Sequence, residues 1–308
     1  MIDDGLGRAA MPVHGCERGE GGLPSDRRRG PRPVVREVPL VCGAPAAGTL
    51  VLRVGYRGAG FSGFAAQPGR RTVAGELVRA LETFLRRPVE LTCAGRTDAG
   101  VHALAQHVSV PVSAEELGVG RHRLLAGLSA LTPDDVSVSD AWRAAPGFSA
   151  RFDALSRTYR YRVCDSSARP VLAWDHAWWL RAALDERAMH DAAQVLVGEH
   201  DFASFCKASS AVGRPTCRHV DWVRVGRVEE CGEGLVAVDV RANAFLHSMV
   251  RTIVGTLVEV GRGHRPGTWV RRVLEARDRT AAGPCAPARG LVFQSVEDPD
   301  GALAPWGE

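Results

Sequence analysis

The sequence predicts layers of α-helix and β-sheet, arranged as two similar subdomains with a cleft between them. Two periodicities alternate along the chain: apolar residues recur at every second position in segments such as 157–163, and at every third or fourth position in segments such as 73–85. The alternation is found in both halves of the 308-residue chain. This pattern is typical of an α+β or an α/β protein with one large or two medium domains.

The elements of the first half follow from apolar spacing and from residues that start or stop helices. Residues 50–54 read as a short strand, and a glycine-rich connection follows over 55–63. Thr72 is placed to cap a helix with an apolar face, and Pro88 ends that helix. Residues 89–93 then begin a strand that resumes over 101–110.

The second half repeats this order of elements. Residues 157–163 and 235–240 read as strands, and Asp185 is placed to cap a helix over 185–197. The spacing of apolar residues after Asn243 predicts a long helix that stops near Gly261. A last helix is predicted over 268–277.

The ends of the chain differ from its globular part. Residues 1–49 contain six of the 18 prolines and no aromatic residue, which predicts a disordered N-terminal tail. We expect an N-terminal catalytic subdomain over 50–148, a C-terminal subdomain over 149–299 and a short C-terminal stub over 300–308.

Composition and charge narrow the classes of function. The formal net charge of +4, carried almost entirely by arginine, permits a polyanionic partner. No pair of cysteines has C-x-x-C spacing and no Cys/His cluster has zinc-ligand spacing, so we expect no metal site. We also expect a cytoplasmic protein without a membrane span, because the sequence shows neither a signal peptide nor an apolar run of bilayer length.

The segment LTCAGRTDAGVHA, residues 91–103, interrupts a predicted strand with a charged pair between two glycines. Gly95 and Gly100 let the backbone come close to a ligand. An ionised Asp98 beside the guanidinium of Arg96 could act as a nucleophile or as the partner of a developing positive charge. The alternative from chemistry alone is a salt-bridged turn in which Asp98 caps backbone amides.

Residues 93–103 closely resemble the active-site motif of the tRNA pseudouridine synthase A family. Four more segments are similar to motifs of that family, in the same order: YRGAGFSGF at 56–64, ARFDA with YRY over 150–161, GEHDFASF at 198–205 and ANAFLHSMVR at 242–251. The resemblance covers residues 51 to 297 and narrows the fold to α+β. It implies the pseudouridine synthase fold, with two similar subdomains whose antiparallel-rich sheets join across a central basic cleft.

The resemblance also implies a reaction and its residues. Uridine in the anticodon stem-loop of tRNA (positions 38–40) would be isomerised to pseudouridine without cofactor or metal. Asp98 would be the nucleophile and Arg96 its ion-pair partner. Tyr159 would stack on the uracil, and Arg251 would be a second basic residue of the cleft. Family members usually act as homodimers, and one tRNA contacts both subunits.

Two other functions fit parts of the sequence. A noncatalytic RNA-binding protein on the same fold would have no need of the combination of Arg96, Asp98 and Tyr159. A glycoside-cleaving enzyme using Asp98 would need a second carboxylate about 5–10 Å away, and the motif offers none. His102 and His247 lack a paired acid at catalytic spacing, so the sequence assigns neither a proton-transfer role.

Overall fold

One eleven-stranded sheet runs through the part of the chain that this computed structural model describes, residue 40 and residues 45–307. The strands are β1 Gly48–Tyr56, β2 Thr92–Cys93, β3 His102–Val112, β4 Val136–Ala144, β5 Ser156–Cys164, β6 Trp178–Trp179, β7 Gly198–Asp201, β8 Cys217–Glu230, β9 Glu233–Ala242, β10 Leu291–Glu297 and β11 Ala304–Pro305. They follow the order β11-β4-β1-β3-β10-β5-β9-β8-β7 in the sheet, with β2 beside β3 and β6 beside β5.

The sheet is rich in antiparallel pairs and joins the two halves of the chain. Strand β10 lies between β3 of the first half and β5 of the second, parallel to β3 and antiparallel to β5. Of the strand pairs in the described part, only β3–β10 and β5–β6 are parallel. The predicted α+β fold with joined antiparallel-rich sheets is confirmed.

The longer helices bury apolar faces in one hydrophobic core shared with the sheet. The helices are α1 Val73–Leu85, α2 Ala114–Leu117, α3 Arg121–Leu131, α4 Glu186–Ala193, α5 Ala208–Ala211, α6 Met249–Gly261 and α7 Trp269–Ala276. Helix α1 packs against α3 in the first half, and α4 packs against α6 and α7 in the second.

Helix α1 begins where its sequence predicts. The Thr72 side chain accepts a hydrogen bond from the backbone N–H of Gly75, and Leu77 and Leu81 are buried on the apolar face. The helix ends at Leu85, because Arg86 adopts a left-handed conformation with φ of 56°.

Helix α6 begins six residues later than the apolar spacing predicts. The backbone N–H of Asn243 donates to His219 O, and the Asn243 side chain accepts from the N–H of His219. The Asn243 carbonyl accepts from Arg157. Residues 243–248 are therefore tied to β8 and β5 rather than to a helical turn, and the left-handed Ser248 precedes α6.

Both predicted terminal segments contribute to the ordered structure where they are described. Leu40 is buried, and β1 begins at Gly48, two residues before the expected boundary; most of the predicted tail lies outside the described residues. In the predicted stub, β11 pairs with β4 and Trp306 is buried with its indole N–H on Val119 O.

We predict that Gly255→Ala in α6 destabilises the fold. A Cβ at this position would lie 1.7 Å from the carbonyl oxygen of Pro284, so the helix would have to shift. Alanine's higher helix propensity is worth about 1 kcal/mol, whereas overpacking of a rigid contact costs about 1–3 kcal/mol or more. Denaturant unfolding should therefore show a net loss of stability. Gly226→Ala is the matched control, because nothing lies within 4 Å of its Cβ position; equal stability of the two variants would contradict the prediction.

Candidate functional site

The loop between β2 and β3, residues 94–101, carries Asp98 and is called the Asp98 loop here. The Gln106 side chain accepts from the N–H of Gly95 and donates to the Gly95 carbonyl at 2.5 Å. A Cβ at Gly95 would lie 3.0 Å from the Phe293 ring, which leaves little room for a side chain, and Gly100 has φ of 81°, a conformation that favours glycine. The approach of the loop backbone to a ligand, expected from these glycines, stays a prediction.

The middle of the Asp98 loop is fixed to the end of β1. The hydroxyls of Thr97 and Tyr56 are 2.8 Å apart in a buried position, and the Phe64 N–H donates to the Thr97 carbonyl. Burial raises the pKa of Tyr56, so its hydroxyl stays protonated in the pair. The loop is thus presented by a rigid scaffold.

The Asp98 carboxylate faces the N-terminal end of α6. Its Oδ2 accepts hydrogen bonds from the Ser248 hydroxyl at 3.1 Å and from Nη1 of Arg251 at 3.0 Å. Its Oδ1 lies 3.3 Å from Nε2 of His247. Arg251 is fixed in turn by a hydrogen bond from its Nε to the Ala286 carbonyl. The carboxylate remains one-quarter exposed, so a ligand can reach it.

The expected ion pair between Arg96 and Asp98 is not formed. Among the ion pairs of the described residues, those of Asp98 are with Arg251 and His247. The loop turns so that Asp98 faces inward, while Arg96 is exposed. The guanidinium of Arg96 is near the thiol of Cys93: burial raises the pKa of that thiol to about 11, and the charges of Arg96 and Arg151 oppose the rise.

Tyr159 lies on β5 next to the Asp98 loop. Its ring is held edge-on by Phe245, at 5.0 Å between centroids, and by Phe293, at 4.8 Å. Burial raises the pKa of Tyr159 well above its usual value, and the negative charge of Asp98 adds to this effect. The phenol is therefore a neutral group beside an anionic one.

Arg157 is a buried guanidinium that connects the segments around the site. It donates to the carbonyls of Ala94 in the Asp98 loop, of Asn243 before α6, and of Arg151 and Ala154 before β5. These four acceptors are backbone oxygens, so the residue acts as a structural hub. Burial lowers the pKa of Arg157 from its very high usual value.

The structure brings together three of the four predicted site residues, Asp98, Tyr159 and Arg251, and places Arg96 on the outer side of the loop. Sequence reasoning missed His247 and Ser248, which also contact Asp98. Both belong to the segment ANAFLHSMVR, so proximity in sequence to Arg251 was the available signal. His102 accepts from the Gly58 N–H and is buried. No cluster of three or more His, Cys, Asp or Glu side chains suited to a metal is found within the described residues.

Comparison with known proteins gives one consistent family. The sequence model of the family described as tRNA pseudouridine synthase matches residues 192–297. A relative from Methylobacterium nodulans named tRNA pseudouridine synthase A is 43% identical over 257 residues, 83% of this chain and 98% of the relative. A protein of the same name from Xanthomonas axonopodis pv. citri is 42% identical over 79% of this chain and 92% of its own length.

The chain is also similar, at 15% identity, to a chain of the solved Cbf5-Nop10-Gar1 complex. The alignment covers 84% of this chain and 68% of that one, with a TM-score of 0.33.

We predict that Arg157→Met lowers the free energy of unfolding by at least about 3 kcal/mol. Methionine keeps the apolar stem but leaves four carbonyl oxygens without their donor, and an unsatisfied buried acceptor costs about 1–3 kcal/mol. Chemical denaturation of the two proteins measures the loss. Arg224→Met removes an exposed arginine and is the control. A variant as stable as the parent would show that Arg157 is not a hub.

Proposed function

Because this chain belongs to the tRNA pseudouridine synthase A family, we propose that Asp98 is the nucleophile of its reaction and that its target uridines lie in the anticodon stem-loop. The chain is an enzyme that isomerises uridine to pseudouridine in tRNA. The observation that carries the assignment of Asp98 is its carboxylate, held by Arg251 and Ser248 beside Tyr159.

The isomerisation balances without any other reactant. The bond between uracil N1 and ribose C1′ breaks, and a bond between C5 and C1′ forms. C5 loses a proton and N1 gains one, so no oxidant, reductant or water is consumed. The enzyme must therefore supply a nucleophile, a place for the detached base to turn, and groups that accept and return a proton.

The two carboxylate oxygens of Asp98 have different surroundings, and we use this difference to assign the reacting oxygen. Oδ2 accepts from both Ser248 and Arg251, whereas Oδ1 has the half-exposed His247 as its neighbour. The guanidinium stabilises the ionised carboxylate and orients it. In the proposed mechanism Oδ1 forms a temporary bond to the nucleoside, which breaks again before the product leaves and so restores the carboxylate, while Oδ2 remains fixed.

Tyr159 and Arg96 are assigned to substrate binding. The Tyr159 ring is prevented from turning by Phe245 and Phe293, so it can act as a fixed surface for a uracil taken out of the RNA stack. The exposed Arg96 is placed to contact a phosphate rather than Asp98. A noncatalytic RNA-binding protein would need neither an ionised carboxylate nor a cationic partner that holds it in place.

The homodimer and the cytoplasmic location are also parts of this proposal. Exposed apolar side chains, Leu104, Val171 and Leu172, lie at or beside a cavity of about 570 Å³ on the sheet, and such a patch is typical of an interface between subunits. We assign it to a second copy of the chain. Within the described residues, no helix is long and apolar enough to cross a membrane.

Incubation with unmodified tRNA transcripts tests the proposed target. We expect pseudouridine at positions 38–40, mapped by chemical labelling and reverse transcription, in transcripts that carry uridine there. Transcripts with cytidine at those positions are the control. Product confined to another arm of the tRNA would contradict the anticodon stem-loop assignment.

We predict that Asp98→Asn reduces pseudouridine formation to background while the protein stays folded and binds tRNA. Asparagine keeps the size of the side chain but removes the charge that makes it a nucleophile. If Asp98 only shaped the turn, asparagine would substitute well. Asp300→Asn, at an exposed site, is the control and should turn over like the parent. Substantial turnover by Asp98→Asn, with deamidation excluded by mass spectrometry, would remove the assignment.

We predict that Leu104→Glu combined with Leu172→Glu converts the dimer to a monomer. Both side chains are exposed by more than half in the single chain, so the charges cost little there but oppose burial between subunits. Sedimentation equilibrium measures the change, with Val197→Glu as the control for an exposed apolar site elsewhere. A parent protein that sediments as a monomer would contradict the proposed dimer.

A further inference from the structure

An exposed phenylalanine stands at the edge of the site and has no role in the core. The side chain of Phe152 is 68% exposed and lies outside the hydrophobic clusters of the described residues. The other large, exposed apolar side chains of that part are leucines and valines. An aromatic ring held in water is costly, and it is typical of a surface that binds something.

The backbone under Phe152 is fixed, so the ring is held in place by its turn. The N–H groups of Phe152 and Asp153 both donate to the Ser149 carbonyl, and the Asp153 side chain accepts from the Ser149 N–H. The Ala150 N–H donates to the Ser109 hydroxyl in β3. A rigid turn that points an aromatic ring into solvent is preorganised for binding.

Hydrogen bonds of Arg157 connect this turn with the Asp98 loop. Arg157 donates to the carbonyls of Arg151, beside Phe152, and of Ala94, the residue before Gly95. A Cβ on Gly95 would lie 3.5 Å from the Tyr159 hydroxyl, so the start of the loop packs against Tyr159. The turn that carries Phe152 is therefore joined through one side chain to the loop that carries Asp98.

One arginine without an ion pair among the described residues lies over the ring. The guanidinium carbon of Arg151 is 5.2 Å from the centre of the Phe152 ring. An aromatic ring beside an unpaired guanidinium group is a combination that binds single-stranded RNA, through base stacking and a phosphate contact.

We propose that Phe152 stacks on the base next to the target uridine, while Arg151 contacts a phosphate beside that base. This inference rests on the proposed function of the Asp98 loop. When the target uridine leaves the stack, its neighbour loses a stacking partner, and the Phe152 ring supplies a replacement surface. The enzyme thereby holds two consecutive nucleotides, one on Tyr159 and one on Phe152.

The first test measures the affinity for an anticodon stem-loop RNA in the Asp98→Asn background, where the RNA is expected to stay unconverted. Phe152→Ala should weaken binding about 5- to 150-fold, the range for loss of one stacked base. Phe152→Trp should bind at least as tightly as the parent, and Val197→Ala, at another exposed site, should not change affinity. Parent-like affinity of a folded Phe152→Ala protein would overturn the proposal.

The second test replaces single bases of the RNA on either side of the target by abasic sites. At one neighbouring position, an abasic site should weaken binding of the RNA to the parent protein. The same abasic RNA should bind Phe152→Ala no more weakly than the intact RNA does, because both changes remove the same contact. Losses that add at every position would overturn the proposal. If Phe152→Ala became a monomer and kept its RNA affinity, the proposal would also be overturned, and Phe152 would be assigned to a contact between subunits.

The two tests separate this proposal from the proposed function. Turnover by Asp98→Asn tests only the assignment of Asp98 as the nucleophile. RNA affinities in the abasic series test only the stacking assigned to Phe152. The salt dependence of binding by Arg151→Gln tests the phosphate contact, because a residue with only a structural role would leave it unchanged. The slope of log affinity against log salt concentration should fall in magnitude by about 0.7–0.9, as expected for one lost phosphate contact. Arg224→Gln is the matched control, since it also lies over an aromatic ring, that of Trp222. An unchanged slope for Arg151→Gln would overturn the phosphate contact.

Discussion

The ion pair between Asp98 and Arg251 is the contact on which the site depends. It joins residues 153 positions apart, one in the loop before β3 and the other on α6. Because both side chains are partly exposed, the pair contributes little to the stability of the fold. The pair instead orients the carboxylate. The Arg251 guanidinium fixes Oδ2, so the other oxygen, Oδ1, faces His247.

Each wall of the site is built so that this pair can form. Gln106 and Tyr56 hold the Asp98 loop from the side of the sheet, through Gly95 and Thr97. On the other side, the late start of α6 leaves residues 243–248 as an irregular segment. A helix begun at Asn243 would have no left-handed residue at position 248 and would not present Ser248 and His247 to the carboxylate in this way.

The sequence predicted most of the elements and singled out Asp98, Tyr159 and Arg251, which the structure brings together. Its predictions were wrong where contacts between distant segments decide the outcome. Helix α1 is specified locally by Thr72 and by apolar spacing, so its position was predictable. The start of α6 is decided by bonds from β8 and Arg157 to Asn243, which spacing does not show. A contact between distant segments also decides the ion-pair partner of Asp98. Arg96 is its neighbour in sequence, but the turn directs the Arg96 side chain outward, and Arg251 of α6 forms the pair instead.

Arg157 shows how the site can be both rigid and open. A buried guanidinium paired with a carboxylate would be neutralised, whereas Arg157 is bound by backbone carbonyls and keeps its positive charge near the cleft. Its acceptors belong to the Asp98 loop, to the segment before α6 and to the turn that carries Phe152. A shift of any one of these segments would lengthen bonds to the others. Asp98, its α6 partners and the turn that carries Phe152 are therefore held as one unit, and a bound RNA strand has to adapt to this fixed arrangement.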